Sequence, residues 1–180
     1  MQPKLFQEPL NFNVPFLVQK YRLISISESL MKISLAADHN GFDLKNEISD
    51  QLEREGHEVI DVGPHSHDPL DDYPDYAKKL ANSVSRGESL RGIMICGSGV
   101  GASVASNKVK GIRAAVCHDI YSAHQGVEHD DMNVLCLGSR IVGGEVAREL
   151  VKAFITAEYT GEERHQRRLD KVLDMEKDFS

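Results

Sequence analysis

Five short apolar runs alternate along the chain with segments whose apolar residues recur every three or four positions. This alternation constrains the fold more than any other feature of the sequence. The runs are Lys32–Ala37, His57–Val62, Gly92–Cys96, Ile112–Cys117 and Asn133–Leu137. Their length and continuous apolar character predict strands buried on both faces. Between the first two runs, Leu44, Ile48 and Leu52 form the stripe of an amphipathic helix, with Gly56 placed to end it. Ala77, Leu80, Ala81 and Val84 form a second stripe, ended by Gly87. Helices are also predicted at about 101–108, about 120–127, around Val146, Leu150, Ala153 and Phe154, and over Glu162–Asp178. Strands separated by helices imply an α/β fold in three layers, a five-stranded parallel sheet with helices on both faces. Such sheets carry ligands at the carboxyl ends of their strands, near a switch in strand order.

That rule directs attention to the residues after each strand. The first run ends in Asp38-His39, the third in Cys96-Gly-Ser-Gly-Val-Gly101, the fourth in Cys117-His118-Asp119 and the fifth in Gly138-Ser139-Arg140. Glycines and polar residues thus collect on one rim. The chain carries 28 acidic against 21 basic residues, a net charge of −7, so it has no global attraction to nucleic acid or anionic membrane. A phosphate site would have to be a local basic cluster. Cys96, Cys117 and Cys136 lie in or at the end of apolar runs and lack metal or redox spacing, which points to a reducing cytoplasm. His65, His67 and Asp68 have a spacing that could hold a metal, but a solvated loop is the stronger reading.

Residues 1–30 differ from the rest. They contain Pro3, Pro9 and Pro15, no sustained helical period and no secretory pattern. A domain over 31–180 is expected, with 1–30 as a peripheral or disordered extension. A chain begun at Met31 is then expected to fold.

Within the rim, the Cys96–Gly101 turn carries the strongest signal. Glycines let backbone N–H groups approach an anion, and a helix start adds partial positive charge. A tight turn behind a buried cysteine explains the same residues, and both readings stand open. The turn reads GxGxG and follows the third strand, so it is not the dinucleotide fingerprint, although Asp119 lies where a ribose contact could follow. At Asp38-His39, an Asx turn is the stronger reading on sequence alone. His129, between acidic residues, could shuttle a proton, but exposed loop histidines are common. Arg164 and Arg168 fall one helical turn apart and could grip a phosphate. A solvated face paired with Glu162, Glu163 and Asp170 is the stronger reading there.

Taken together, AADHNGFDLK (36–45), DDYPDYA (71–77), ICGSGVGASVASNK (95–108), GIRAAVCHDIYSA (111–123), HDDMNVLCLGSRIVG (129–143) and ERHQRR (163–168) resemble the type B ribose-5-phosphate isomerases and their relatives acting on allose and galactose 6-phosphates. The resemblance runs in order over 31–180. It implies a Rossmann-like sheet, a homodimer (or tetramer) with shared active sites, and interconversion of ribose 5-phosphate and ribulose 5-phosphate in the non-oxidative pentose phosphate pathway. It implies Cys96 as the base, the N–H groups of Gly97 to Gly101, Gly99 included, as the hole for an enediolate, and Ser98 as a hydroxyl that binds or protonates an oxygen of the intermediate. His129 would open the furanose ring. Asp38 and Tyr73 would contact the sugar. His39, Arg140, Arg164 and Arg168 would cradle the phosphate, partly from the second subunit, with His165 lining the site. Asp130 stands where Asn is common, and His118 where a smaller residue is common; either could shift substrate preference. No metal or redox cofactor is implied, and no nucleic-acid or membrane partner. A hexose 6-phosphate isomerase, a non-catalytic sugar-phosphate sensor and a nicotinamide-dependent enzyme are the alternatives.

Overall fold

The structure, a computed structural model, describes residues 30–178. The expected N-terminal extension, apart from its last residue, lies outside them. Among the described residues the elements run β1 (Lys32–Ala37), α1 (Phe42–Arg54), β2 (Glu58–Asp61), α2 (Tyr73–Ser85), β3 (Arg91–Cys96), α3 (Val100–Ser106), β4 (Ala114–Val116), α4 (Ile120–Asp130), β5 (Val134–Gly138), α5 (Gly144–Thr156) and α6 (Glu163–Lys177). Every strand pairing is parallel, and the strand order is β2-β1-β3-β5-β4. The three-layer α/β fold expected from the apolar runs is therefore present.

The layers follow from where the apolar stripes point. Leu44, Ile48 and Leu52 of α1 pack with Ala123 and Val127 of α4 and with Leu150, Val151 and Phe154 of α5 on one face of the sheet. Ala77, Leu80, Ala81 and Val84 of α2 pack with Ala102 of α3 on the other. Sheet residues alternate between the two cores: Ile93 and Ile95 face the first, Met94 and Cys96 the second. Gly92 lets Leu80 lie flat on β3, since a Cβ there would meet the Leu80 side chain at 2.6 Å.

Several boundaries differ from the sequence expectation. The fourth run, expected as a strand over 112–117, is a strand only over Ala114–Val116, with single backbone bonds to β5 continuing at Arg113 and Cys117. Pro74 stands in the first turn of α2, where its missing N–H costs nothing. α4 continues through His129 and Asp130, so this histidine stands on a helix and not in a loop. Val146 is exposed, and Ala147 takes the core position expected for it.

One buried and one half-buried cation fix segments that matter for the site. Lys45 is fully enclosed, and its Nζ donates to Asp61 Oδ2 at 2.6 Å and to the Pro64 carbonyl at 2.8 Å. This ties the loop after β2 to α1. Arg91 donates to the carbonyls of Phe154 and Ala157, the latter at 2.5 Å, closing the carboxyl end of α5. Burial lowers the pKa of Arg91. Its guanidinium also lies 5.1 Å from the Phe154 ring centroid. Phe154 is wholly buried. Phe154→Ala is expected to cost ~3–5 kcal/mol of stability, read from urea denaturation; a loss under ~1 kcal/mol would mean that α5 is not held through this side chain.

Candidate active site

β1, β3 and β5 are neighbours, so the loops that leave them share one rim. The order reverses between β1 and β3, because β2 lies outside β1 and the remaining strands lie beyond β3. An open cleft of about 320 Å³ sits at this switch, lined by Asp38, Tyr73, Cys96, Gly97, Ser98, Gly101, Arg140 and Ile141. Four hydrogen bonds stitch its loops together. Ser139 N–H donates to the Cys96 carbonyl at 2.9 Å and Arg140 N–H to the Gly97 carbonyl at 3.1 Å. Ser139 Oγ donates to the Asn40 carbonyl at 2.8 Å, and Arg140 Nη2 donates to Asn40 Oδ1 at 2.5 Å.

The glycine turn is shaped by two needs. Gly99 has φ +80°, where a side chain is strained. In this conformation its N–H donates to Cys96 Sγ at 3.1 Å, and α3 starts at the next residue. At Gly101 a Cβ would lie 2.7 Å from the Tyr73 ring, so the missing side chain is what lets Tyr73 lie over the turn. Ser98 is exposed, and its Oγ accepts the Val100 N–H at 3.3 Å.

Cys96 differs from the other two cysteines. Cys117 and Cys136 are buried within the fold and line no part of this cleft. Burial, with a contribution from Asp119, pushes the Cys117 thiol up to about 11, and burial raises that of Cys136 further. Only Cys96 among them faces the cleft.

Asp38 makes the Asx turn that the sequence favours and also borders the cleft. Its Oδ1 accepts the N–H groups of Asn40 at 2.9 Å and Gly41 at 3.1 Å, an Asx turn into α1, while the residue also lines the cleft. His39 stands beside it. Its ring Nδ1 lies 2.7 Å from Asp71 Oδ1, and its Nε2 lies 2.8 Å from Asn40 Nδ2. The pKa of His39 is raised, first by the hydrogen bond to Asp71 and then, against a burial penalty, by the charges of Asp38 and Asp71. Asn40 and Asp71 carry no role in the sequence reading. Only the folded loops reveal their contacts, since Asp71 is far from His39 in sequence.

The remaining candidates gather elsewhere. His129, in the last turn of α4, stacks on His165 of α6 with ring centroids 4.0 Å apart. Gln125, one turn earlier, holds His129 Nδ1 at 2.6 Å. This i, i+4 contact was legible in principle but not singled out. His165 is buried, with Nδ1 2.9 Å from Thr160 Oγ1 and with Nε2 lacking a partner among the described residues. Burial lowers its pKa, helped by His129 and Arg164. Asp130 and Arg168 line a second cavity of about 310 Å³ with Arg113, Met132, Leu169 and Val172. Arg164 pairs with Glu162 at 2.7 Å, the solvated pairing that the sequence favoured. His118 Nε2 accepts the Gly138 N–H at 3.1 Å and so braces the end of β5. His65 and His67 are exposed, and among the described residues no group of three or more His, Cys, Asp or Glu side chains is arranged to hold a metal.

A single chain therefore assembles two groups. Asp38, His39, Tyr73, Cys96, Ser98 and Arg140 share one rim, and His129, Asp130, Arg164, His165 and Arg168 lie on or against α4 and α6. Among the described residues no hydrogen bond or ring contact joins them.

Comparison with known proteins gives a consistent picture. Residues 33–172 match the family described as Ribose/Galactose Isomerase. The chain is 48% identical over 147 residues to ribose-5-phosphate isomerase B of Escherichia coli, covering 82% of this chain and 97% of that one. It is 42% identical over 135 residues to D-erythrulose-4-phosphate isomerase of Pectobacterium atrosepticum, covering 73% and 87%. The structure of ribose-5-phosphate isomerase B from Clostridium thermocellum superposes with a TM-score of 0.81 at 48% identity, covering 83% of this chain and all of that one.

Proposed function

The chain belongs to the Ribose/Galactose Isomerase family, and we propose that it interconverts D-ribose 5-phosphate and D-ribulose 5-phosphate through an enediolate, with Cys96 as the base. The observation that carries this reading is the cleft at the strand-order switch. Cys96 lies there with a backbone N–H on its sulfur, next to an aspartate, a tyrosine and an arginine.

The residues divide the work by chemistry. Aldose–ketose interconversion moves one proton from C2 to C1 and a second from the C2 hydroxyl to the C1 oxygen, with negative charge on the two oxygens in between. The Cys96 thiolate takes the proton from C2 and returns it to C1. Backbone N–H groups of the Gly97–Gly101 turn and the Ser98 hydroxyl face the enediolate oxygens, and donors fixed before reaction stabilise charge without reorganising. Asp38 and Tyr73 contact the sugar. His39 and Arg140 hold the phosphate at the other end, which keeps C1 and C2 beside the sulfur and lowers the entropic barrier. His129 opens the furanose by moving the anomeric hydroxyl proton toward the ring oxygen. Its stack on His165 and its hydrogen bond with Gln125 hold the ring still.

His129, Arg164 and Arg168 do not reach Cys96 within one chain, so the reading requires a homodimer in which a second copy brings its α4 and α6 to the cleft. Exposed Val100, Val104, Ile120, Tyr121 and Ile141 on the same rim supply apolar surface for that contact. Arg164 would then exchange Glu162 for phosphate. We assign the isomerase domain to 31–180 and a peripheral role to 1–30. Three free buried cysteines suit a reducing cytoplasm, and no helix among the described residues is long and apolar enough to cross a membrane. No metal or redox cofactor enters this chemistry, and ribose 5-phosphate places the enzyme in the pentose phosphate pathway. The 42% identity to an erythrulose-4-phosphate isomerase favours one competing substrate, a four-carbon sugar phosphate. Asp130 beside His129 is a candidate for setting the preference.

Purified protein without added metal is expected to convert ribose 5-phosphate to ribulose 5-phosphate. Cys96→Ala should lower kcat by ~10³-fold or more with KM nearly unchanged. Wild-type turnover of erythrulose 4-phosphate, allose 6-phosphate or galactose 6-phosphate alone would move the substrate. Binding of all of them without turnover would replace the isomerase with a sensor. Arg168→Ala should raise KM by about tenfold while kcat changes little; an unchanged KM removes Arg168 from the phosphate site.

A further inference from the structure

We propose that Asp71 and Asn40 are positioning residues for this reaction: they fix which nitrogen of His39 carries the proton and hold its ring ready for the substrate's phosphate. This rests on the isomerase reading, with His39 in the phosphate site.

The donor directions are set by chemistry. Arg140 has only donors, so the amide atom 2.5 Å from its Nη2 must be the oxygen of Asn40. The other amide atom is then the nitrogen, which only donates, and it lies 2.8 Å from His39 Nε2. Nε2 must accept, and in a neutral imidazole the proton then sits on Nδ1. Nδ1 lies 2.7 Å from Asp71 Oδ1, a carboxylate oxygen that accepts it. The same oxygen accepts the backbone N–H of His39 at 3.0 Å. Arg140, Asn40, His39 and Asp71 thus form one chain in which every donor points the same way. The Asp71 side chain is 6% exposed, and its Oδ1 makes both contacts to His39, with the Tyr76 phenol also close to this carboxylate. Lys45, anchored on Asp61 and Pro64, holds the start of the loop that carries Asp71.

A phosphate changes the balance at one end. When its oxygens take the Arg140 guanidinium, the Asn40 oxygen loses its donor. The amide is then free to move off Nε2, and His39, taking a proton from solvent, donates its Nε2–H to the phosphate. Asp71 stabilises the resulting imidazolium. The charged and titratable groups around His39 are Asp38 from its own turn, Asp71 and His67 from the loop before α2, and Arg140 from the loop after β5. His67 meets the ring edge-on at 6.4 Å. Two carboxylates favour the cation, and Arg140 opposes it until phosphate neutralises it. The raised pKa of His39 means that its contribution to phosphate affinity is present at lower pH and is lost as pH rises through that value. Removing the Asp71 charge should move this loss to lower pH.

The test combines nitrogen-15 NMR of His39 with kinetics. In the phosphate-free wild type at high pH, His39 should carry its proton on Nδ1; an Nε2–H tautomer overturns the proposal. Asn40→Ala should release that preference. Asp71→Asn should lower the His39 titration midpoint, with and without inorganic phosphate, and should raise KM for ribose 5-phosphate by about tenfold with kcat within about twofold. Asp71→Glu should recover part of the loss. An unchanged midpoint in both Asp71 variants, or equal falls in kcat for both with KM unmoved, overturns it. If no sugar phosphate is turned over, the isomerase reading fails, yet the NMR arm with inorganic phosphate still decides the role of Asp71.

Discussion

Where β1 and β3 part, the N–H of Asp38 donates to the carbonyl of Ile95 at 3.1 Å, and the rest of the site depends on this contact. It is the last rung between the two strands at the switch in their order. Beyond it the chain from β1 turns into α1 and the chain from β3 turns into α3, and the cleft opens between them. The approach is close enough that a Cβ on Gly41 would lie 2.5 Å from the Ile95 oxygen. A larger residue at Gly41 would push Asp38, His39 and Asn40 away from Cys96. The Asx turn at Asp38, the Ser139 hydroxyl and the Arg140 guanidinium all hold their partners within this frame.

The frame gathers Cys96, His39 and Arg140 but leaves His129 on another surface. The separation follows from the topology. β4 sits at the sheet edge, so α4 and the α6 helix packed on it carry His129, His165 and Arg168 away from β3. For an acidic chain this has a physical use. A dianionic substrate needs concentrated positive charge, and two copies can bring arginines from different elements to one cleft, where neither would hold them alone without self-repulsion. The proposed two-fold dimer would repeat the arrangement, giving two composite sites from one kind of contact.

Much of this was legible from residue order. The apolar runs and their helical stripes specified strands, layers and the functional rim, because burial on both sheet faces leaves an unmistakable pattern. The site was partly legible: Asp38, Cys96, the glycines and Arg140 each follow a strand, so the topology alone brings them together. Other features depend on contacts that sequence separation hides. Asp71 meets His39, and Tyr73 lies over Gly101, across segments far apart in sequence. The helical placement of His129 was missed because its neighbours Glu128, Asp130 and Asp131 read as a polar loop, whereas α4 ends at Asp131 in the left-handed conformation.

The central claim is that each active centre joins Cys96 of one copy to His129 of another. Mixing an inactive Cys96→Ala protein with an inactive His129→Ala protein, after dissociation and reassociation, tests it directly. In a hybrid dimer one composite site carries both substitutions and the other carries neither. The account predicts that activity returns on mixing, to about a quarter of wild type if the copies pair at random. Activity that stays at the level of the separate mutants, with hybrid dimers demonstrably formed, would place both residues in one chain's site and contradict the account.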